Sequence, residues 1–234
     1  MPNLKERVER VQIRMENAAK KSGRSLKDIA LVAVTKGVAP EAVGEAQAAG
    51  VTLFGENKVQ EALQKIPESA LPVEWHMIGH LQTNKIRTAL DLFGLIQSVD
   101  SVRLAEKINR ECLARNKTVN VLLEVNISGE AGKYGFKPEN LYAAIESMNG
   151  FSAVRILGLM GMAPSAAGVG PEQKREAFKK LRNLFGVCKS VKQENLAMKF
   201  LSMGMSDDFE IAIEEGANMI RLGRAIFSEE KGTR

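Results

Sequence analysis

Apolar runs alternate with amphipathic stretches along almost the whole chain. The strand-like apolar runs occupy residues 29–36, 51–56, 74–79, 95–100, 119–127, 155–162, 199–205 and 219–223. Helical patterns lie between them at residues 40–50, 58–66, 84–93, 102–116, 138–149, 172–191 and 207–216, and a short helix is expected at 224–230. Strands of a parallel sheet are buried on both faces, so they appear in a sequence as continuous apolar runs. The pattern therefore predicts eight parallel strands joined by helical crossovers.

One further helix is predicted ahead of the first strand. Its apolar positions are Leu4, Val8, Val11, Met15 and Ala18, and Ser22-Gly23 ends it. Eight strand–helix units in 234 residues suit an α/β fold of the (β/α)8 TIM-barrel type, and the rival is an open, doubly wound sheet. The strand count and even spacing favour the barrel. Residues 1–234 are expected to form one barrel domain, with residues 1–24 as a helix packed on it.

Composition and charge narrow the class of protein. Apolar residues make up 44% of the chain, and the net charge is a modest +5. The densest basic stretch, residues 20–27, contains no aromatic residue, so binding to nucleic acid is not expected. No apolar stretch approaches the ~18 residues of a membrane span, and the charged N-terminus lacks a signal core. Cys112 and Cys188 lie in predicted helices without a CxxC motif, which indicates reduced thiols in a cytoplasmic protein.

The residue with the clearest chemical implication is Lys36, which ends the first apolar run just before Ala39-Pro40-Glu41. The carboxyl ends of barrel strands share the face that carries the site. A desolvated lysine at such a position has a lowered pKa, and its amine becomes a nucleophile toward aldehydes. Taken alone, Lys36 is explained more simply as a lysine that extends from a strand end into solvent. The residues at the other strand ends are therefore needed to choose between the two interpretations.

The ends of the seventh and eighth strands predict an anion site. Gly204 and Gly223 permit close approach of a backbone. Ser202 and Ser206 offer hydroxyl groups, and Ser206 or Asp207 is expected to cap the following helix. In barrels these two loops, with a helix N-terminus, form the recurrent phosphate site, although both glycines also suit tight turns.

Charged and imidazole side chains near the strand ends have alternative explanations. Arg221 lies inside the eighth strand, where a charged side chain needs a buried acceptor. That acceptor is expected to be a carboxylate such as Glu56 or Asp100, or a heteroatom of a ligand. His76 and His80 are the only histidines, and without a third ligand they predict no metal site.

Six segments occur in one order through the chain. They are AVTK at 33–36, FGENKVQE at 54–61, EWHMIGHLQTNK at 74–85, LGLMGM at 157–162, LSMGMSDD at 201–208 and IRLGRAIF at 220–227. In these segments the chain resembles the pyridoxal-phosphate homeostasis protein family over nearly its whole length. The resemblance implies the barrel of the alanine racemase N-terminal domain, with pyridoxal 5′-phosphate as the cofactor.

The resemblance also implies a role for each matching residue. Lys36 would form the internal aldimine with the cofactor, Asn57 would lie beside it, and Arg221 would face the pyridine nitrogen. The phosphate contacts would come from Ser202, from the backbone of Met203, Gly204 and Met205, and from the amides of Gly223 and Arg224. Arg224 departs from the family pattern, because many relatives have a small hydroxyl residue there, and this puts a side-chain phosphate bond in doubt.

These roles favour a carrier of the cofactor over an enzyme. Arginine only donates hydrogen bonds, so the pyridine nitrogen facing Arg221 stays unprotonated and is a weak electron sink. Of the two tyrosines, only Tyr134 follows a strand end, and it reads as a loop residue and not as a base. The expected function is buffering or delivering the cofactor, with apo forms of pyridoxal-phosphate enzymes as partners, as a monomer or a dimer. The alternatives are a narrow amino-acid racemase and a cofactor-free Schiff-base aldolase.

Overall fold

Eight parallel strands close into a barrel in this computed structural model, which describes residues 2–66, 73–130, 132–165 and 168–228. The strands are β1 (Ala30–Val34), β2 (Leu53–Glu56), β3 (Glu74–Met77), β4 (Leu95–Val99), β5 (Val119–Val125), β6 (Val154–Gly161), β7 (Leu196–Ser202) and β8 (Met219–Leu222). Each strand pairs with the next along the chain, and β8 pairs with β1. The predicted barrel is therefore confirmed, and the open doubly wound sheet is excluded.

Nine α-helices occur among the described residues. The first precedes β1, the last follows β8, and the seven between them connect successive strands on the outside of the barrel. The helices are α1 (Leu4–Lys21), α2 (Pro40–Ala48), α3 (Val59–Lys65), α4 (Ile86–Leu92), α5 (Val102–Ala114), α6 (Leu141–Ser147), α7 (Pro171–Cys188), α8 (Phe209–Glu214) and α9 (Arg224–Phe227). Every predicted helix is present, several of them shorter than the pattern suggested. The last ends at Phe227, and residues 229–230 of its predicted range lie outside the described residues.

The N-terminal helix α1 covers the part of the barrel where the chain closes. All five of its predicted apolar positions are buried, and it packs against α8 and α9. Asn3 and Glu6 form a capping box at its start, and the predicted stop is observed, with Ser22 as the C-cap and Gly23 at φ +68°. Arg7 Nε donates a hydrogen bond of 2.7 Å to the carbonyl of Ile226 in α9.

Strand boundaries differ from the apolar runs for a physical reason. The first run extends to residue 36, but β1 ends at Val34, because Thr35 and Lys36 already turn toward α2. Strand β7 begins at Leu196, three residues before its predicted start, because its first residues alternate between half-buried and exposed positions and form no continuous apolar run.

The hydrophobic core has two parts. The larger lies between the strands and the helices, and the smaller fills the barrel with Val32, Leu95, Leu122, Met160 and Met219. The inside of the barrel also holds buried polar side chains, among them Gln97 and Ser202. A barrel interior of mixed polarity needs internal hydrogen bonds, since a buried polar group without a partner is costly.

Both cysteines lie in helices, as predicted, and both are buried free thiols. Burial raises the pKa of Cys112, and it raises the pKa of Cys188 to about 11. Within the described residues, no helix is both long and apolar enough to cross a bilayer.

Candidate functional site

A cavity of about 430 Å3 opens at the carboxyl ends of β1 and β8. We call it the Lys36 cavity. Its lining residues are Val34, Lys36, Val38, Met205, Ser206, Arg221, Gly223, Arg224, Phe227 and Ser228. The structure thus brings together five residues that the sequence placed in one site. They are Lys36, Met205, Arg221, Gly223 and Arg224.

Lys36 stands one residue beyond a buried ionic cluster that holds the end of β1. The Lys65 ammonium donates to the Thr35 carbonyl and to Glu56 Oε1, both at 2.6 Å, and the Thr35 hydroxyl donates to the same carboxylate. Lys65, Glu56 and Thr35 are all buried. The Lys36 side chain itself is exposed, in contrast to the desolvated lysine expected from the sequence.

Arg221 is the most deeply buried cation of the cavity, with only 4% of its surface exposed. Its Nη1 donates to Ser202 Oγ at 2.7 Å and its Nη2 to the Gly161 carbonyl at 3.2 Å. Burial lowers the pKa of Arg221 to about 10, and the charges of Glu124 and Asp208 act in the opposite direction.

The carboxylate partners predicted for Arg221 are wrong. Glu56 is bonded to Thr35 and Lys65, and Asp100 is bonded to His80 Nδ1 at 2.9 Å. Arg221 is held by neutral oxygens instead, in the part of the chain that the structure describes. Its remaining N–H groups are therefore available to the cavity.

The sequence analysis missed Glu124, a carboxylate of the kind that was predicted near Arg221. It lies in β5, is 5% exposed, and its pKa is raised to about 7 by burial and by Asp100, against the opposing charge of Arg221. The available signal was its place in LLEVN, where a charged residue interrupts a buried strand as Arg221 does in β8.

Glycines follow two strands near the cavity, β7 and β8. Gly204 has φ +98°, and a Cβ there would lie 2.6 Å from Ala212 Cβ in α8. A Cβ on Gly223 would lie 3.3 Å from the Val34 carbonyl oxygen. Gly204 therefore needs the smallest residue, in agreement with the close approach predicted from the sequence, and a Cβ on Gly223 would be tight against β1.

Several backbone amides near these glycines differ in their bonding. Met203 N–H donates to the Met219 carbonyl at 3.1 Å, and Met205 N–H donates to Asp208 Oδ1 at 2.7 Å. The amides of Gly223 and Arg224 have no hydrogen-bond acceptor among the described residues. The end of β8 is therefore the side of the cavity with unused backbone donors.

The two serines of the SMGMS segment lie in different places. Ser202 is fully buried, and its hydroxyl donates to Gln97 Oε1 at 2.7 Å while it accepts from Arg221. Ser206 lines the Lys36 cavity and accepts a 3.2 Å hydrogen bond from the Ala225 amide. The N-cap of α8 is Asp208, not the predicted Ser206 or Asp207. The Ser206 hydroxyl donates to no acceptor among the described residues.

Asn57 lies in a neighbouring pocket of about 230 Å3, which it shares with Met77 and His80. Gly79 packs on it so closely that a Cβ there would lie 2.4 Å from the Asn57 carbonyl oxygen. The ring of Tyr134 stacks on His80 with centroids 3.8 Å apart, and Tyr134 lies outside helices and strands, as predicted. No cluster of three metal-ligating side chains occurs among the described residues.

Comparison with known proteins identifies the family. The family model of the alanine racemase N-terminal domain matches residues 9–231. The pyridoxal phosphate homeostasis protein of Aquifex aeolicus is 40% identical over 230 residues, which cover 98% of this chain and 99% of that protein. The protein of the same name from Pseudomonas aeruginosa is also 40% identical, over 97% of this chain and 96% of its own length. The chain belongs to the pyridoxal phosphate homeostasis protein family.

Solved structures agree with membership in the homeostasis protein family. PipY of Synechococcus elongatus, in a structure with pyridoxal phosphate bound, is 33% identical and superposes with a TM-score of 0.78, over 92% of this chain and 99% of that one. An alanine racemase of Clostridium difficile superposes with a TM-score of 0.66 at 16% identity, over 95% of this chain but only 56% of the racemase. That second likeness shows a shared barrel fold.

Proposed function

We propose that this chain binds pyridoxal 5′-phosphate in the Lys36 cavity and serves cofactor homeostasis by holding and releasing it. The observation that carries the proposal is the shared lining of one cavity by Lys36, Arg221 and Gly223. The names of its relatives, and the bound pyridoxal phosphate in PipY, support the same cofactor.

The residues of the cavity fit the chemical groups of this cofactor. Pyridoxal phosphate supplies an aldehyde, a phosphate and a pyridine nitrogen when it is bound. The Lys36 amine would bond the aldehyde carbon, with loss of one water molecule. The free N–H groups of Arg221 would donate to the ring nitrogen, which has one lone pair and no proton of its own to offer.

The phosphate fits best at the end of β8. The unused amides of Gly223 and Arg224 and the hydroxyl of Ser206 all lie there, and each can donate a hydrogen bond to an anion. A direct bond from the Ser202 hydroxyl has less support, because that group already has two protein partners. The amides of Met203 and Met205 are similarly engaged, whereas the amide of Gly204 has no partner among the described residues.

The same geometry favours a carrier over an enzyme. Even with its pKa lowered to about 10, Arg221 is protonated at neutral pH and can only donate. A ring nitrogen that accepts from it stays neutral and withdraws few electrons from a bonded amino acid. Tyr134 and Tyr142 are both largely exposed on the surface, so neither is placed as a shielded base.

One observation favours a second function, a weak amino-acid racemase. Glu124 is buried near Arg221 with a pKa of about 7, which suits a general acid or base at neutral pH. Loss of the α-hydrogen label from deuterated amino acids, measured with the loaded protein, would support this second function if it exceeded the rate of free cofactor.

The carrier proposal is tested by trapping the covalent bond. Borohydride should reduce the loaded protein irreversibly at Lys36, and peptide mapping by mass spectrometry should find the mass increase on the peptide that contains Lys36. Lys36→Ala should abolish this adduct and the associated absorption band, while weak non-covalent binding persists through the phosphate contacts.

Lys58→Ala is the matched control, since Lys58 is also an exposed lysine just after a barrel strand. It should keep the adduct and the band. An adduct that maps to another lysine in the wild type would refute the assignment of Lys36.

A further inference from the structure

A line of buried hydrogen bonds runs through the barrel from Arg221 to the amino ends of the strands. Arg221 contacts Ser202 Oγ at 2.7 Å, and Ser202 Oγ contacts Gln97 Oε1 at 2.7 Å. Gln97 Nε2 lies 2.9 Å from His76 Nδ1, and His76 Nε2 lies 3.1 Å from Glu74 Oε1. Arg221, Ser202, Gln97 and His76 are buried, while Glu74 borders a cavity of about 290 Å3 at the opposite end of the barrel.

Elementary hydrogen-bond chemistry fixes the direction of each bond in this line. Arginine only donates, so the Ser202 oxygen accepts from Arg221 and its single hydrogen goes to Gln97 Oε1. The Gln97 Nε2 group only donates, so His76 Nδ1 has to accept. The His76 proton then lies on Nε2 and is donated to the Glu74 carboxylate.

Two further observations support this assignment of donors and acceptors. The second amide hydrogen of Gln97 points to the Met219 sulfur at 3.3 Å, so both hydrogens of the amide have partners on the same side. The hydrogen bond from His76 is the main cause of a lowered pKa at Glu74, as expected for a carboxylate that accepts it. Every donor in the line therefore points from the Arg221 cation to the Glu74 anion, an arrangement in which neighbouring bonds strengthen one another.

We propose that Gln97, His76 and Glu74 are positioning residues that act through Ser202 to hold the Arg221 guanidinium against the Lys36 cavity. The inference rests on the proposed function, in which Arg221 faces the pyridine nitrogen. Among the described residues, the Arg221 side chain has two hydrogen-bond acceptors, the Gly161 carbonyl and the Ser202 hydroxyl. The line through Ser202 is thus the second anchor, and two anchors fix a planar guanidinium where one leaves it free to turn.

A wrong tautomer of His76 would weaken this anchor. A proton on Nδ1 would face the Gln97 amide hydrogens and would force the amide to turn over. Its nitrogen would then donate to the Ser202 oxygen, which would accept from both Gln97 and Arg221 while the Ser202 hydrogen lost its acceptor. The position of one imidazole proton therefore affects the guanidinium through two residues, Gln97 and Ser202.

The first test uses the protein without cofactor and without a change in the line. Nitrogen NMR of histidine-labelled protein, with His80→Gln to leave a single imidazole, should show His76 Nδ1 unprotonated and Nε2 protonated. In a second sample labelled at arginine, the Nη signals of Arg221 should be resolved from one another, because rotation of a doubly anchored guanidinium is slow. A proton on Nδ1 would overturn the inference.

The second test compares two substitutions of similar shape. His76→Asn keeps an acceptor near the position of Nδ1, and His76→Leu removes it. The leucine variant should merge the Arg221 Nη signals and shift the absorption maximum of the bound cofactor, whereas the asparagine variant should retain the resolved signals and the wild-type maximum. Unfolding midpoints, measured in parallel, show whether a change reflects general loosening.

The outcomes separate this inference from the function it builds on. A wild-type protein that binds no pyridoxal phosphate would refute the proposed function, and the NMR signals would still decide the positioning role. Identical Arg221 signals and identical spectra in the leucine and asparagine variants would overturn the positioning role alone. If the leucine variant does not fold, Gln97→Met interrupts the same line of hydrogen bonds one residue nearer to Arg221.

Discussion

At the scale of single residues, the backbone beside Lys36 depends on Lys65, which does not line the Lys36 cavity. Lys65 is buried and bonds both the carbonyl of Thr35 and the carboxylate of Glu56. Removing one partner of a buried pair costs much more than the pair contributes, because the other charge is left without compensation.

Lys65→Met should therefore destabilise the protein by about 3–5 kcal/mol and slow cofactor capture by Lys36. Urea unfolding and stopped-flow absorbance would measure the two effects. The double variant Lys65→Met with Glu56→Gln should recover part of the stability, since it removes both charges. No recovery in the double variant would argue against a charge-paired cluster.

Glu124 predicts how stability depends on pH. Its pKa is about 7 in the folded chain and about 4.5 as a free side chain, so the folded state binds the proton more tightly. Stability is then fully present below pH 4.5 and is lost as the pH rises toward 7, by about 3 kcal/mol at most.

Glu124→Gln should remove this loss, so the variant should be more stable than the wild type at pH 8 and close to it at pH 4.5. Urea unfolding of the cofactor-free protein at both values would measure it, with the exposed Glu106→Gln as the control. An equal pH dependence in both variants would show that Glu124 ionises normally.

At the scale of the elements, the turn between β7 and α8 depends on one glycine. Gly204 has a positive φ and no room for a Cβ beside Ala212, whereas Gly44 lies inside α2 with open space around it. The same substitution should therefore have opposite signs at the two sites.

Gly204→Ala should lower the free energy of unfolding by at least about 1–2 kcal/mol, because the left-handed backbone is strained by a Cβ. Gly44→Ala should raise it by about 0.5–1 kcal/mol, because alanine favours the helix. Chemical unfolding of both variants would measure the pair. A Gly204→Ala protein as stable as the wild type would show that the turn can rearrange.

The elements were the most predictable level of the structure. Apolar run length located all eight strands and helical period all nine α-helices of the described residues, because most strand residues are buried and each helix buries one face. The strand boundaries were less predictable. The first predicted strand includes Thr35 and Lys36, whereas the backbone already leaves the sheet after Val34.

The side-chain partners of the site were less predictable than its members. Lys36, Arg221 and Gly223 were placed together by their strand-end positions, which the barrel brings to one face. Which carboxylate lies near Arg221 depends on the stagger between β5 and β8, strands that are not neighbours, and no local pattern reports it. The burial of Ser202 and its hydrogen bonds to Gln97 and Arg221 could not be predicted for the same reason.

At the scale of the whole molecule, the proposed role concerns a cofactor pool and not a single reaction. A cavity lined by the Lys36 amine and by the proposed phosphate contacts, with both tyrosines largely exposed, fits storage of a reactive aldehyde. We infer that apo forms of pyridoxal-phosphate enzymes receive the cofactor from it.

A deletion strain should show altered levels of pyridoxal phosphate and pyridoxine phosphate, with several unrelated pyridoxal-phosphate enzymes affected together. Vitamer profiling and amino-acid analysis would measure this, and Lys36→Ala should complement the strain only in part. Normal vitamer levels with one blocked reaction, rescued by its product, would refute the homeostasis role.

The closure of the barrel has a consequence for the newly made chain. Lys36 follows the first strand, whereas Arg221 and Gly223 belong to the last strand and its end, and β1 meets β8 only when the barrel closes. Under the proposed function, a ribosome-bound chain that has not yet released β8 would expose the Lys36 amine without the phosphate contacts. We therefore expect capture of the vitamin to wait until translation is complete, so that truncated products of a stalled message do not withdraw it from the cell.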